Sequence, residues 1–319
     1  MSSQSLIQAA RSALLESMNH DRGVLVLGED VASGGPFGLT KGLAEEFGTD
    51  RVRNTPISES FFIGVGIGLA LAGARPLVDI MFNDFLTLVS DQLFNQDAKI
   101  HFMSGGRHSV PLTVWTIGGA GTRWGAQHSQ RLDGWLTQIP GIKVLAPSSP
   151  AMMFKSMKAA LADHNPVVLM VDRSLLHSQE DLPGDNGSPW NSRIVLPGRD
   201  LTLVSTGRLI HLSLDVAQSF PGRVEIIDLQ RTRPIGVDLI RESVTKTGKL
   251  LVVHDEVSNG GFLASIALAI YDSVYFSLDA PIAHLTSLGT PVPAAPELED
   301  AFLIDSLSIK RAITEILET

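Results

Sequence analysis

TPISESFFIGVGIGLALAGARP, residues Thr55–Pro76, is the stretch on which the fold turns. Glu59 is its one acidic residue, standing at the mouth of an apolar run studded with glycine. Ser58 or Ser60 is placed to cap a helix, with Glu59 in or just before its first turn. Gly64, Gly68 and Ala72 recur every four residues, so their shared face is expected to admit a second backbone at close range. A helix so poor in charge belongs inside a layered core or a subunit interface. Two readings of Glu59 stand side by side. A carboxylate at a helix start is stabilised by the free N–H groups there, whereas one held in a semi-buried cleft can exchange a proton with a ligand.

The chain around this stretch has 319 residues, enough for two domains. Its 44% hydrophobic and 18% charged residues describe a folded protein. A formal charge of -9 with no basic stripe argues against a nucleic-acid partner. Cysteine is absent, which excludes disulfides, thiolate nucleophiles and cysteine-ligated metals. That fits a reducing compartment, and a cytoplasmic location is expected. MSSQSLIQ has no basic region leading into an apolar core, and no window reaches the ~18 apolar residues of a membrane span.

Short apolar strands alternate with helices along the chain. Strands are expected at 24–28, 75–80, 112–117, 143–146 and 167–171, then at 201–205, 224–227, 250–254 and 282–286, which makes both sheets mainly parallel. Glu29 and Asp30 follow the first strand, where open α/β sheets place functional groups. Gly64, Gly66 and Gly68 have the wrong spacing for a dinucleotide fingerprint. From Phe82 a long amphipathic helix is expected, with Phe85, Val89, Leu93, Gln96, Ile100 and Met103 on one face. The loop GGAGTRWGAQHSQ then presents His128, followed by Ser129 as a helix cap. A histidine on such a loop suits chemistry, or else a hydrogen-bonded surface. Ser149-Pro150 opens the next helix. His254, Asp255 and Glu256 adjoin one another, but neighbouring strand positions face opposite ways, so they do not ligate one metal together.

The order GEDV, TPISES, DQLFNQDAK, MSGG, GAQHSQ, PGIKVLAPSSP, NPVV, EIIDLQRTRPIG and LTSLGTPVP resembles the beta subunit of the heterotetrameric thiamine-diphosphate-dependent 2-oxoacid dehydrogenases, the first component of the pyruvate and branched-chain complexes. Acetoin dehydrogenase beta subunits are similar, and split transketolases more distantly so. The resemblance covers essentially the whole chain. It implies an α/β architecture with a pyrimidine-binding domain at 1–180, a linker at 181–197 and a transketolase-type carboxyl-terminal domain at 198–319. It further implies that Glu59 bonds the pyrimidine N1′, that Phe85 stacks on that ring, that Glu29 lies near the cofactor, and that His128 faces the substrate and a lipoyl acceptor. Backbone carbonyls at Leu112, Ala160, Leu161, Asp163 and Asn165 are implied as a potassium site.

The family's diphosphate-and-magnesium motif is missing, since Asp185 lies in GDN within the linker rather than in GDG. In the family that motif sits on a separate alpha subunit. The chain is therefore expected to be half of an enzyme, in an alpha2–beta2 heterotetramer with beta–beta contacts and a lipoyl acyltransferase beyond it. Magnesium would come mainly through the alpha subunit. The expected reaction is oxidative decarboxylation of a 2-oxo acid; acetoin cleavage, a split transketolase activity and a non-catalytic partner role are the alternatives. Asp79, Thr122-Arg123-Trp124 and Asp172-Arg173 depart from the common family pattern and leave the substrate open.

Overall fold

The computed structural model describes residues 4–179 and 187–319. Residues 181–186 of the expected linker, Asp185 among them, lie outside the described residues. Twelve strands are formed among the described residues: β1 (Val24–Gly28), β2 (Val52–Asn54), β3 (Arg75–Phe82), β4 (Thr113–Gly118), β5 (Lys143–Leu145), β6 (Val167–Asp172), β7 (Arg193–Leu196), β8 (Leu201–Ser205), β9 (Val224–Asp228), β10 (Arg231–Arg233), β11 (Leu250–Val257) and β12 (Ala283–Ser287). They make a seven-stranded sheet, β10-β5-β6-β4-β3-β1-β2, and a five-stranded one, β12-β11-β8-β9-β7. Each sheet is parallel apart from one edge strand, β10 against β5 and β7 against β9. The expected pair of mainly parallel α/β layers is therefore what the chain builds. β2, β7 and β10 are too short to announce themselves in sequence, and β7 falls inside the stretch expected as linker.

Parallel strands covered on both faces become continuous apolar runs, and β4 and β6 are buried at every position. The helix Leu6–His20 opens on a reciprocal cap, Ser5 with Gln8, of a kind that contributes about 1 kcal/mol. Leu6, Ala10, Leu14 and Met18 of that helix are buried. On the other face of the sheet lies the helix Glu59–Leu71.

That helix carries glycine on both faces. Its close-approach glycine is Gly66, where a Cβ would lie 2.8 Å from Val78 Cγ2 on β3. Gly64 and Gly68 meet nothing within 4 Å and, with Ala72, face outward. Ser58 precedes the helix without lending its side chain as a cap.

Two expectations fail locally. The segment from Phe82 to Met103 is not one helix. It passes from a 3-10 turn (Asn83–Thr87) through a wide π-helical stretch (Asp91–Asp97) into a short α-helix (Ala98–Met103). The 3.6-residue period is lost, so Leu86, Val89, Leu93 and Ala98 point inward while Gln96 and Met103 face out. Ser129 caps nothing; it is buried, and the helix that follows is only Asp133–Thr137. Ser149 does cap its helix, accepting from Met152 N at 3.2 Å.

The two layers meet across a polar seam. Glu256 at the end of β11 accepts from Gly134 N at 2.6 Å and from Phe262 N at 2.8 Å, so one buried carboxylate serves two helix starts that face each other. Gly134 is required there, since a Cβ would lie 2.7 Å from Phe262 N and 2.8 Å from Gly260 O. Backbone on both sides cannot yield as a side chain tip would. Gly134→Ala should cost about 2–3 kcal/mol in urea denaturation of the chain. Gly64→Ala, on an open helix face, should be neutral or stabilise by up to about 1 kcal/mol; equal costs at the two sites would contradict this account of the seam.

Candidate functional site

Parallel α/β sheets open their clefts at the carboxyl ends of the strands. Four adjacent strands, β4-β3-β1-β2, deliver the expected residues to that edge. Glu29 follows β1 directly, Glu59 begins the helix after β2, Phe85 lies in the turn after β3, and His128 sits on the loop after β4. Chain order scatters them over a hundred positions; strand order makes them neighbours.

Glu59 is 9% exposed, and no donor is paired with its carboxylate among the described residues. Glu29 feels it: burial raises the Glu29 pKa, and the nearby charges of Glu59 and Asp30 raise it further. Asp79, at the register position opposite Gly28, extends this acidic group inward. Burial pushes its carboxyl up to about 7 against the pull of the Met81 N–H, with Glu29 adding to the rise. Sequence reading noted Asp79 only as a departure, because nothing local marks its complete burial.

His128 is half-buried among aromatic rings. Its imidazole lies 4.8 Å from the Phe82 ring and 5.9 Å from Phe85, both edge-on, with Trp124 at 6.3 Å. Phe82 in turn touches Phe37, Phe85 and Trp124. Phe85 and His128 are thus brought together, with Phe82, Phe37 and Trp124 added by the tertiary fold. Beneath them lies Arg173, 5% exposed, with its guanidinium 5.2 Å from the Trp124 ring and 5.9 Å from Phe82. It donates to His128 O at 2.7 Å, to Gly119 O at 2.7 Å and to Ser129 Oγ at 3.0 Å. Sequence reading missed this role; an arginine directly after a buried strand was the available signal. Polar atoms at this edge remain without partners, namely Thr55 Oγ1, Asp84 Oδ2 and Arg173 Nε.

The carbonyl set gathers at the opposite, amino edge of the sheet, before β4 and β6. Arg75 donates to Leu161 O at 3.2 Å and to Asp163 O at 3.0 Å, while Asp163 N uses Ala160 O and Val167 N uses Leu112 O. The Asn165 amide bonds Asp163 Oδ1, and Lys143 pairs with Asp163. Positive charge from the chain itself already stands at this set. His254 and Glu256 turn inward while Asp255 pairs with Arg208 at 2.7 Å, and no cluster of metal-ligating side chains occurs among the described residues.

Residues 2–179 match the family model of the transketolase pyrimidine-binding domain, and 191–309 that of the transketolase C-terminal domain. The pyruvate dehydrogenase E1 component subunit beta-3, chloroplastic, of Oryza sativa subsp. japonica is 37% identical over 98% of this chain and 82% of its own length. The acetoin:2,6-dichlorophenolindophenol oxidoreductase subunit beta of Bacillus subtilis is 36% identical over 98% of this chain and 97% of its own. A split-gene transketolase, solved as an inactive beta4 tetramer, superposes with a TM-score of 0.77 at 18% identity, covering 98% of both chains.

Asp79 makes a measurable claim about pH. Its folded pKa of about 7 lies above the ordinary 3.8, so between those values the folded chain holds the extra proton. Stability from this group is therefore fully present below pH ~4 and declines by up to about 1.4 kcal/mol per pH unit as pH rises towards ~7. Asp79→Asn should remove that decline: the difference in melting temperature between variant and wild type should move in the variant's favour from pH 5 to pH 7.5. A pH-independent difference would place Asp79 in an ordinary, solvated setting.

Proposed function

This chain belongs to the beta-subunit family of the thiamine-diphosphate-dependent 2-oxoacid and acetoin dehydrogenases, and we propose that it supplies the pyrimidine-side half of an active site completed by an alpha-type subunit. The reaction proposed is oxidative decarboxylation of a 2-oxo acid with transfer of the acyl group to a lipoyl carrier. What carries this reading is the unpaired, buried Glu59 at the same sheet edge as the half-buried His128.

The residues present suit the cofactor. Glu59 is proposed to hold a proton at the pyrimidine N1′, a role for which a carboxylate at the cleft mouth with no competing donor is well placed. Phe85 offers a ring to the pyrimidine, and Glu29 lies within electrostatic reach of Glu59. Thiamine diphosphate, when bound, supplies a thiazolium carbon that adds to a carbonyl and accepts the electron pair released with carbon dioxide. His128, wedged among Phe82, Phe85 and Trp124, is held where it can donate a proton or hydrogen bond to the substrate oxygen.

The diphosphate is assigned to the partner. A chain of formal charge -9 without a GDG-type motif has little with which to hold several further negative charges and magnesium. The outward face of the helix Glu59–Leu71 suits a subunit contact: Phe61 is 60% exposed and Ile57 81%, next to the open glycines. An alpha2–beta2 assembly with beta–beta contacts is proposed on that ground. The acetoin-cleaving reading shares this machinery and differs in the donor. The potassium set stays a proposal with a structural role, remote from the cofactor edge.

With an alpha-type partner present, Glu59→Gln should slow hydrogen–deuterium exchange at the thiazolium C2, followed by NMR, and every later step with it, by roughly 10²–10⁴-fold. His128→Ala should leave that exchange intact and lower turnover with a 2-oxo acid. Exchange as fast as wild type in Glu59→Gln, or abolished in His128→Ala, would falsify the division of roles. A second measurement is calorimetric titration of the chain alone with thiamine diphosphate and magnesium. Weak binding, with Kd above ~10 μM or about -7 kcal/mol, is expected; submicromolar binding would sink the divided site.

A further inference from the structure

The loop bearing His128 is held from the other domain by Glu299. This residue lies in the helix Pro296–Phe302 and is fully buried. Its Oε1 accepts from Gly121 N at 2.9 Å, and its Oε2 from Arg123 N at 3.0 Å and Arg123 Nη1 at 2.9 Å. The same guanidinium donates to Pro296 O at 2.8 Å and pairs with Asp300. Two loop amides and one side chain thus converge on a single carboxylate.

What they hold is a loop with little shape of its own. Gly119, Gly121 and Gly125 are left-handed, and Arg123 takes φ +65°, a conformation that strains any residue with a Cβ. Such a geometry persists only where outside contacts impose it. Arg173 fixes the loop's two ends, at Gly119 O and at His128 O and Ser129 Oγ. Glu299 fixes the part between, immediately before Trp124, whose ring packs on Phe82 and lies beside His128. Within the loop itself, the His128 N–H donates to Gly125 O at 3.3 Å, and the Trp124 ring also lies 6.2 Å from Phe37, so the Glu299 contacts act on a segment whose His128 end is already turned back on itself.

We propose that Glu299 is a positioning residue for catalysis: through Gly121, Arg123 and Trp124 it holds the His128 imidazole against Phe82 and Phe85, so that the carboxyl-terminal domain acts on the active site without touching it. The catalytic part rests on the role given to His128 above. A carboxylate suits this task because it is acceptor-only and can satisfy all three donors, whereas a glutamine turns an N–H against one of them. The loop then gains local freedom, which costs turnover by misplacing His128 more than it costs binding.

Amide hydrogen–deuterium exchange on the full-length chain, read by mass spectrometry over residues 119–127, tests the clamp. Glu299→Gln should speed exchange there at least tenfold while leaving residues 59–71 within twofold of wild type. In the enzyme reconstituted with an alpha-type partner, kcat should fall at least tenfold, with thiazolium C2 exchange and the KM for cofactor within twofold. Glu299→Asp, which keeps the charge on a shorter arm, should recover part of the kcat. If Glu299→Gln does not fold, Arg123→Met carries the same test, since it removes the guanidinium and spares the two amide bonds; an increase in loop exchange of about threefold is expected. Unchanged loop exchange or unchanged kcat would overturn the proposal, and so would C2 exchange falling in step with kcat. The loop measurement needs neither partner nor cofactor. It therefore decides the clamp even where wild type shows no C2 exchange, an outcome that would instead remove the catalytic reading.

Discussion

A chain of buried charges along the seam between the two sheets is the constraint on which the site depends. Arg131 grips Asp133 with two hydrogen bonds of 2.8 and 2.9 Å and lies 3.9 Å from Asp172. Asp172 accepts the Arg208 amide at 3.2 Å, and the Arg208 side chain pairs with Asp255 at 2.7 Å. Glu256 then closes the far end on Gly134 and Phe262. Removing one partner from such a network strands the others without water, at a cost of about 3–5 kcal/mol. The net stabilisation of the intact network is much smaller than that, because every member has first to be desolvated. Its value lies in fixing one relative placement of the domains.

That placement explains why the loop bearing His128 is reached from two sides. Arg173 approaches from β6 in the first layer and Glu299 from the second, so the loop between β4 and Asp133 is set only when both layers are docked. The aromatic cluster around His128 follows from this, since Trp124 reaches Phe82 only with the loop so held. By contrast Glu29, Glu59 and Asp79 belong to the first layer alone. Their geometry comes from strand order and their electrostatics from shared burial, with each carboxylate raising the proton affinity of the next where charge accumulates. Two kinds of support therefore meet at one edge: an acidic group built into the sheet, and an aromatic and imidazole group suspended from the seam.

Some of this was legible from residues alone. Short apolar runs of four to six positions located the long strands, since a strand buried on both faces has no other composition available. The sequence of motifs from GEDV to LTSLGTPVP indicated the family, Glu29 and His128 were placed after strands where a parallel sheet opens, Glu59 at a helix start, and Phe85 was singled out through the resemblance. What misled was periodicity used beyond its range. Gly64, Gly68 and Ala72 share an outward face while Gly66 meets the sheet, because in a helix apolar all round spacing cannot say which face meets the sheet and which is left open. The stretch from Phe82 to Met103 keeps a helical pattern of residue types while its backbone widens into a π-helical segment that shifts every later side chain.

The chain's own sequence thus determined the two parallel layers and the absence of thiol chemistry, because each depends on residue type and local order alone. Tertiary structure decided the rest. Arg173, Glu256 and Glu299 are ordinary polar residues in sequence, separated from what they hold by 45, 122 and 178 positions. Their roles arise only when docking removes water from them, since a charged side chain becomes a strong and specific anchor in proportion to how completely the fold replaces its solvent with fixed donors and acceptors.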